Sequence, residues 1–586
     1  MARNLQFMSV ARLVASSANS AHPPIRVRPT TLTLGNPRFA DTQLARLARE
    51  HGDSAAWQAA LAQGVARAAA GVDGNFAVGI TVAAGHTFLA VDRFAICTLC
   101  YRLIDGQLHF AARADELAAL PPAAAIDPQA IFDYLYFHAV PSPRTIFLGV
   151  CRLPPAHYAW FEDGTLSVTP YWVPEFREAA KPGFEPLAAE FRQMLREAVA
   201  AQLDGSKPAC FLSGGTDSST VAGMIGEVAG RPAATYSIGF EAEGYDEMQF
   251  ARIAAKRFGT EHHEYYVTPD DLVHSIPKVA AHYDQPFGNS SALPAFYCAQ
   301  MARADGVTKL LAGDGGDELF GGNTRYAKQR VFGWYGGVPT ALRRGLLEPV
   351  LERTPLGTLP LARKGRSYVE QAKVPLPDRM QMYNVLLRMG VENVFTPDFL
   401  ARVDPADPLR QQRTVWQQVP GGSVLNRMLA YDWRYTLAEA DLPKVCGSSQ
   451  LAGMAVGFPF LEQALVDFSL RLPTDHKLRG LKLRWFFKEA LRGFLPDEII
   501  SKKKQGFGLP FGVWANRHPA LRKFASESLH SLGERGIVRP AFVQALLRQH
   551  LPAHPGYYGE MVWILMMLEQ WLRQVQPAPA AVRNGH

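Results

Sequence analysis

The chain has 586 residues, 48% apolar and 20% charged, proportions of a folded protein long enough to bury more than one core. Its net charge of +7 is modest for that length and no RNA-binding signature accompanies it, so nucleic acid is not an expected partner. The strongest apolar run, Met561–Leu568, falls well short of the about 20 residues a bilayer needs; it is expected to be a core helix, with no membrane partner.

Residues 1–25 read as a flexible lead-in, because Arg3 and Arg12 stand among Ser and Ala without the apolar stretch of a secretory signal. Residues 26–175 read as a mixed α/β domain of short strands. Within it Cys97 and Cys100 lie close together, but no second pair completes a zinc site, and Ile96–Tyr101 reads as a buried strand. The six cysteines show no disulfide pattern, which fits a cytoplasmic protein. Pro174–Pro186 contains the expected linker, residues 176–186, broken at Pro182-Gly183. From 187 to 574 strand and helix patterns first alternate, predicting a parallel sheet covered on both faces, and turn mainly helical after about 325. Residues 575–586 read as a disordered tail. Much of the positive excess lies between Arg325 and Arg410, including Arg343-Arg344, Arg363-Lys364 and Arg366. It reads as a solvated helical face, with a docking surface for an acidic leader peptide or ATP as the weaker alternative.

Two Gly-rich turns carry the chemistry. Pro208–Leu212 is a short buried-strand pattern, and a helix start follows at Ser218, so Ser213–Ser218 would sit where unpaired N–H groups and the helix dipole favour anions. Gly214 and Gly215 let the main chain approach phosphates, and Ser213, Thr216 and Ser218 add hydroxyls. Bare phosphate would repel Asp217, which argues for Mg²⁺ between them; no Gly-Lys-Ser/Thr of a Walker loop is present. Alone, this turn also fits a plain strand-to-helix connection capped by Asp217. The second turn follows the strand pattern Thr308–Ala312 and crowds Asp314, Asp317 and Glu318, which repel one another unless a cation intervenes. Asp317 is therefore paired with Asp217 as a metal ligand. Between them, Thr235–Phe240 reads as a strand and Tyr245-Asp246-Glu247 opens a helix through Phe258.

Ser213–Ser219, Ser237–Phe240, Tyr245-Asp246-Glu247, Gly313–Gly322 and Lys504-Gln505-Gly506-Phe507-Gly508 occur in the order seen in asparagine synthetase-like proteins, which the chain resembles over about residues 70–520. The resemblance implies a PP-loop domain that adenylates a carboxylate with ATP and Mg²⁺ and lets a nitrogen nucleophile displace AMP. It implies adenosine contacts at Leu212, Ile238 and Gly313, and a pyrophosphate cradle at Ser213, Gly214, Gly215, Thr216, Asp217 and Ser218. The implied Mg²⁺ ligands are Asp217 and Asp317, and the implied catalytic residues are Lys504 and Asp314. Without the adjoining QGFG, Lys504 would read as one of the solvated run Lys502-Lys503-Lys504.

The N-terminal part departs from that family. Glutamine-hydrolysing relatives begin Met-Cys-Gly and use the cysteine as an N-terminal nucleophile, whereas this chain begins Met1-Ala2-Arg3 and has no cysteine before Cys97. The Arg-Gly-Pro-Asp and Asn-Gly-Glu-Ile-Tyr-Asn segments that bind glutamine are missing. Gly74–Val78, Val91–Phe94, Leu153–Tyr158 and Tyr171-Trp172 resemble the scaffold of an Ntn-hydrolase-like αββα domain, here degenerate. On the synthetase side, Lys444-Val445-Cys446-Gly447-Ser448 and Ala455–Glu462 stand where the family has Lys-Val-Asp-Arg-Met and Glu-Val-Arg-Val-Pro-Phe-Leu-Asp. Charge lost at Cys446, Gly447 and Gly457 suits a larger, less charged substrate than aspartate. Family members with a dead glutaminase include lasso-peptide cyclases and β-lactam synthetases. The leading expectation is lasso-peptide cyclisation on a precursor peptide, with a leader-peptide protease as a further candidate partner. Ammonia-dependent asparagine synthesis, a β-lactam synthetase acting on a small carboxylate and an ATP-binding pseudoenzyme are the alternatives.

Overall fold

A computed structural model of the chain describes residues 31–178, 183–343, 368–503 and 508–576. It divides into two compact units. The first comprises residues up to Pro174 with two short segments, Ala280–Phe287 and Arg434–Pro443; the second holds the remainder.

In the first unit, β1 (Thr31–Gly35), β2 (Phe76–Ala83), β3 (His86–Val91), β7 (His157–Glu162) and β8 (Thr165–Pro170) form an antiparallel sheet in the order β1-β2-β3-β7-β8. A second antiparallel sheet is ordered β5-β4-β6, from β4 (Cys100–Ile104), β5 (Gln107–Ala111) and β6 (Val150–Arg152). Alternation along β2 sorts the two faces. Phe76, Val78 and Ile80 pack with Trp57, Ala60 and Ala69 of the helices between Asp53 and Ala70. Ala77 joins Tyr101, Leu108 and Leu166 in a core lined from both sheets. Gly79, on that same face, is bare because a Cβ would meet the Phe110 ring at 2.5 Å.

The strand expected over Ile96–Tyr101 begins only at Cys100. The backbone before it is instead wound around the buried Asp92 carboxylate, which accepts from the N–H groups of Phe76, Phe94, Ile96 and Cys97 at 3.0–3.2 Å. Burial pushes the Asp92 pKa up to about 6, against the pull of those four donors. All six cysteines are free thiols.

In the second unit five parallel strands run in the order β11-β10-β9-β12-β13: β9 (Ala209–Phe211), β10 (Ala234–Phe240), β11 (Glu261–Val267), β12 (Lys309–Leu311) and β13 (Ala455–Gly457). β9, between two neighbours, buries Ala209 and Cys210, and β10 is buried throughout, as strands covered on both faces must be. The strand β13 has no signal in the sequence: three residues ending in glycine carry no alternation, and its partner β12 lies 146 residues earlier. The order reverses between β9 and β12. In doubly wound sheets ligands bind outside the carboxyl ends at that reversal, and the two Gly-rich turns leave β9 and β12 there.

The expected linker is not a free spacer where it is described. Arg177 donates its N–H to Leu470 O, and Glu178 accepts from Asn426 Nδ2 and Thr474 N. The first long helix begins at Phe184, inside the stretch assigned to the linker. Several arginines of the expected solvated face are engaged: Arg330 with Asp475, Arg379 with Val374 O and Ala372 O, Arg410 with Asp404. Arg344, Arg363, Lys364 and Arg366 lie outside the described residues, as do Pro182, residues 1–30 and 577–586. Met561–Leu568 is the buried middle of helix Pro555–Val575, and among the described residues no helix is long and apolar enough to cross a membrane.

Candidate active site

The site is built at the exits of β9 and β12. Helix α1 (Thr216–Ala229) starts two residues earlier than the sequence pattern suggested, so Thr216, Asp217 and Ser218 form its first turn. No side chain caps that turn, and its N-cap is Gly215. Ser213 and Ser218 close the loop upon themselves: Ser218 Oγ accepts from Ser213 N at 3.1 Å and lies 3.1 Å from Ser213 Oγ. Gly214 has a φ of 68°, and a Cβ there would stand 2.5 Å from the carbonyl carbon of Phe250, so only glycine fits both the turn and the packing. Leu212, the residue after β9, and Ile238 of the neighbouring β10 are buried; Leu212 N donates to Tyr236 O.

The second turn touches the first. A Cβ on Gly313 would come 2.8 Å from Ser218 N and 3.0 Å from Asp217 Cβ. Asp317 lies in the first turn of the short helix α2 (Gly316–Phe320), whose Phe320 packs on Phe191 and Phe487. The same aromatic cluster, extended by Phe468 and Phe486, fixes helix α3 (Trp485–Ala490). Just before α3 stands Arg484, which brings the two turns together. Its Nη1 donates to Asp217 Oδ2 at 2.6 Å, Asp317 Oδ1 at 2.8 Å and Thr216 Oγ1 at 3.0 Å, and its Nη2 donates to Asp217 Oδ1. Burial disfavours the charged guanidinium, but Asp217 and Asp317 outweigh it and hold the group protonated.

These carboxylates fit a divalent cation. One oxygen from each already converges on a single positively charged nitrogen; Mg²⁺, which takes oxygen ligands at about 2.0–2.1 Å, needs that convergence only slightly tightened. Beside them Lys444 Nζ lies 3.3 Å from Asp314 Oδ1, both side chains largely buried. Lys504, with Gln505, Gly506 and Phe507, lies outside the described residues. The stem before it is anchored, since Lys502 Nζ pairs with Glu247 Oε1 at 2.8 Å and sits over the Phe250 ring.

Sequence reasoning missed Arg484 as a site residue and quoted Lys444 only as part of a family stretch. The available signal for Arg484 was a cation embedded in Leu483-Arg484-Trp485-Phe486-Phe487. Gly457 also proves different from its reading. A Cβ there would meet Gln202 Oε1 at 2.5 Å and Leu311 Cδ2 at 2.8 Å, so the space is filled, not opened toward a substrate. Lys309, whose ammonium donates to Gln202 O at 2.7 Å, supplies a cation in the same place.

The family model for asparagine synthase matches residues 190–573, and that for a glutamine amidotransferase domain matches residues 43–172. Asparagine synthetase [glutamine-hydrolyzing] 1 of Bacillus subtilis is 24% identical over 82% of this chain and 74% of its own length. A putative asparagine synthetase [glutamine-hydrolyzing] of Mycobacterium bovis is 26% identical over 76% of this chain and 67% of its own. Amidase chyE of Penicillium rubens is 22% identical over 76% and 71%. The fold, with its glutaminase-like first unit and parallel-sheet second unit, and these matches define an ATP-dependent ligase. The chain belongs to the asparagine synthase family.

Proposed function

We propose that the chain forms an amide within a peptide: it adenylates an Asp or Glu side chain with release of pyrophosphate, and the peptide's own N-terminal amine displaces AMP, closing a lasso-type macrolactam. The observation that carries the adenylation step is the shared contact of Asp217 and Asp317 with Arg484 Nη1. Mg²⁺ held there would neutralise the leaving pyrophosphate. The uncapped first turn of α1 offers N–H groups and dipole to the same phosphates, and Gly313 lets the second turn close on Asp217 and Ser218 of that turn. Asp314 with Lys444 stands on the flank of this cluster, suited to receive the proton that the amine loses on attack. Lys504 is assigned to charge stabilisation in both half-reactions.

An intramolecular amine is supported by the first unit. The relatives' names include glutamine hydrolysis, yet the glutamine-binding segments are missing from this chain. Holding both reacting groups in one prefolded substrate makes closure a matter of fixed geometry. The test is incubation of the pure protein with ATP, Mg²⁺ and peptides from neighbouring reading frames, followed by mass spectrometry. Loss of one water from a peptide, with AMP formed, is the expected result. Loss of water between aspartate and ammonia instead would favour the second reading, an ammonia-dependent asparagine synthetase, which the relatives' names support.

A further inference from the structure

Arg484 is held in place at some conformational cost. Its backbone takes φ 54° and ψ 36°, a left-handed conformation uncommon for a residue with a side chain. Its side chain is 5% exposed, its guanidinium carbon sits 3.9 Å from the centroid of Phe487, and its Nε is buried with no hydrogen-bond partner. The fold thus spends the Nη donors of this arginine on Thr216, Asp217 and Asp317, the residues assigned to phosphate and metal. Lys488 and Glu318 also lie within electrostatic reach of this cluster, but it is a guanidinium nitrogen that already occupies the point where the Asp217 and Asp317 oxygens converge. A second cation there would meet it at contact distance.

We propose that Arg484 competes with the divalent cation for Asp217 and Asp317, so that the free enzyme excludes bare metal and accepts it only together with the nucleotide. The proposal rests on the ligase reading. The triphosphate resolves the competition: a guanidinium released from the carboxylates finds in phosphate oxygens an acceptor that suits its planar fork. The metal keeps the carboxylates. Order of binding is then a property of this side chain, and premature loading of the site by metal alone is prevented.

The experiment titrates Mn²⁺ into the full-length protein and reads protein-bound Mn²⁺ by water-proton relaxation, for wild type, Arg484→Met and Arg484→Lys, without nucleotide and with α,β-methylene-ATP. Without nucleotide, Arg484→Met is expected to bind Mn²⁺ at least tenfold more tightly than wild type, and Arg484→Lys to fall between them. Wild type is expected to gain tight Mn²⁺ only with the analogue. Equal Mn²⁺ affinity in wild type and the variants would overturn the proposal. So would wild-type binding equally tight with and without the analogue, a comparison that stands even should the substituted proteins fail to fold. Failure of every protein to take up the analogue, read separately by equilibrium dialysis, would overturn the ligase reading and the proposal with it.

Discussion

Gly316 of the second turn lies directly against the Asp217 carboxylate of the first: a Cβ built on Gly316 would collide with Asp217 Oδ1 and stand 3.1 Å from Arg484 Nη2. Two turns a hundred residues apart in the chain are thus in contact at the charged groups themselves. Gly316→Ala is expected to force the turns apart at a cost of about 1–3 kcal/mol, the range for overpacking a close contact. ATP-dependent pyrophosphate release should fall far more than the melting temperature does. Unchanged release would mean that the contact between the turns is incidental to the chemistry.

Under the proposed function the Asp314–Lys444 pair, 3.3 Å apart, would act in the second half-reaction. Lys444→Met is expected to slow amide formation by about a hundredfold or more, the scale of a lost proton-transfer contribution. Pyrophosphate release in a single turnover should stay within a few-fold of wild type. Equal loss in both half-reactions would assign Lys444 to nucleotide binding instead.

Lys477 gives a pH signature in stability. It is fully buried, its ammonium donating to Asn426 Oδ1 at 3.1 Å and lying over the Phe176 ring, and its backbone packs beside Gly321 of the second turn. Burial lowers its pKa to about 7, partly offset by Glu178. In the unfolded chain the group stays protonated up to about 10.4. Between those values the unfolded state binds more protons, so stability rises with pH, and the penalty for burying the charge is fully present only below about 7. Urea denaturation at pH 6.5 and 9 should show wild type more stable at the higher pH, with the difference reduced in Lys477→Met. A difference as large in the variant would place the titration elsewhere.

Gly512 marks a close helix crossing in the second unit. Helix Phe511–Arg517 approaches helix Pro555–Val575 so closely that a Cβ on Gly512 would collide with Pro555 O and stand 2.7 Å from Gly559 Cα. Gly512→Ala is expected to destabilise the second unit by about 1–3 kcal/mol. Thermal denaturation checks this, and no shift in melting temperature would show that the crossing relaxes freely.

The parts of this molecule legible in the sequence are those with local signals. Glycine and acidic residues after short apolar runs marked both turns, and the strands feeding them lie within one or two residues of their patterns. The Arg484 cation was not legible because its role depends on meeting Thr216, Asp217 and Asp317, which are 167 or more residues away in the chain. The same reason hid β13, and it misdirected the reading of Gly457, whose lost side chain is replaced by Gln202 and Lys309 from distant segments. The Ile96–Cys97 backbone looked like a strand because it is apolar; the buried Asp92, four or five residues back, claims its N–H groups instead.

The central claim is that Asp217 and Asp317 act on one metal-bound triphosphate. A double-mutant cycle in Mn²⁺·ATP affinity, using Asp217→Asn, Asp317→Asn and the double variant, tests it most directly. Residues gripping the same ion are coupled, so the double variant should depart from the sum of the single effects by about 0.5–3 kcal/mol. Strict additivity, with each substitution acting as though the other were absent, would contradict the account.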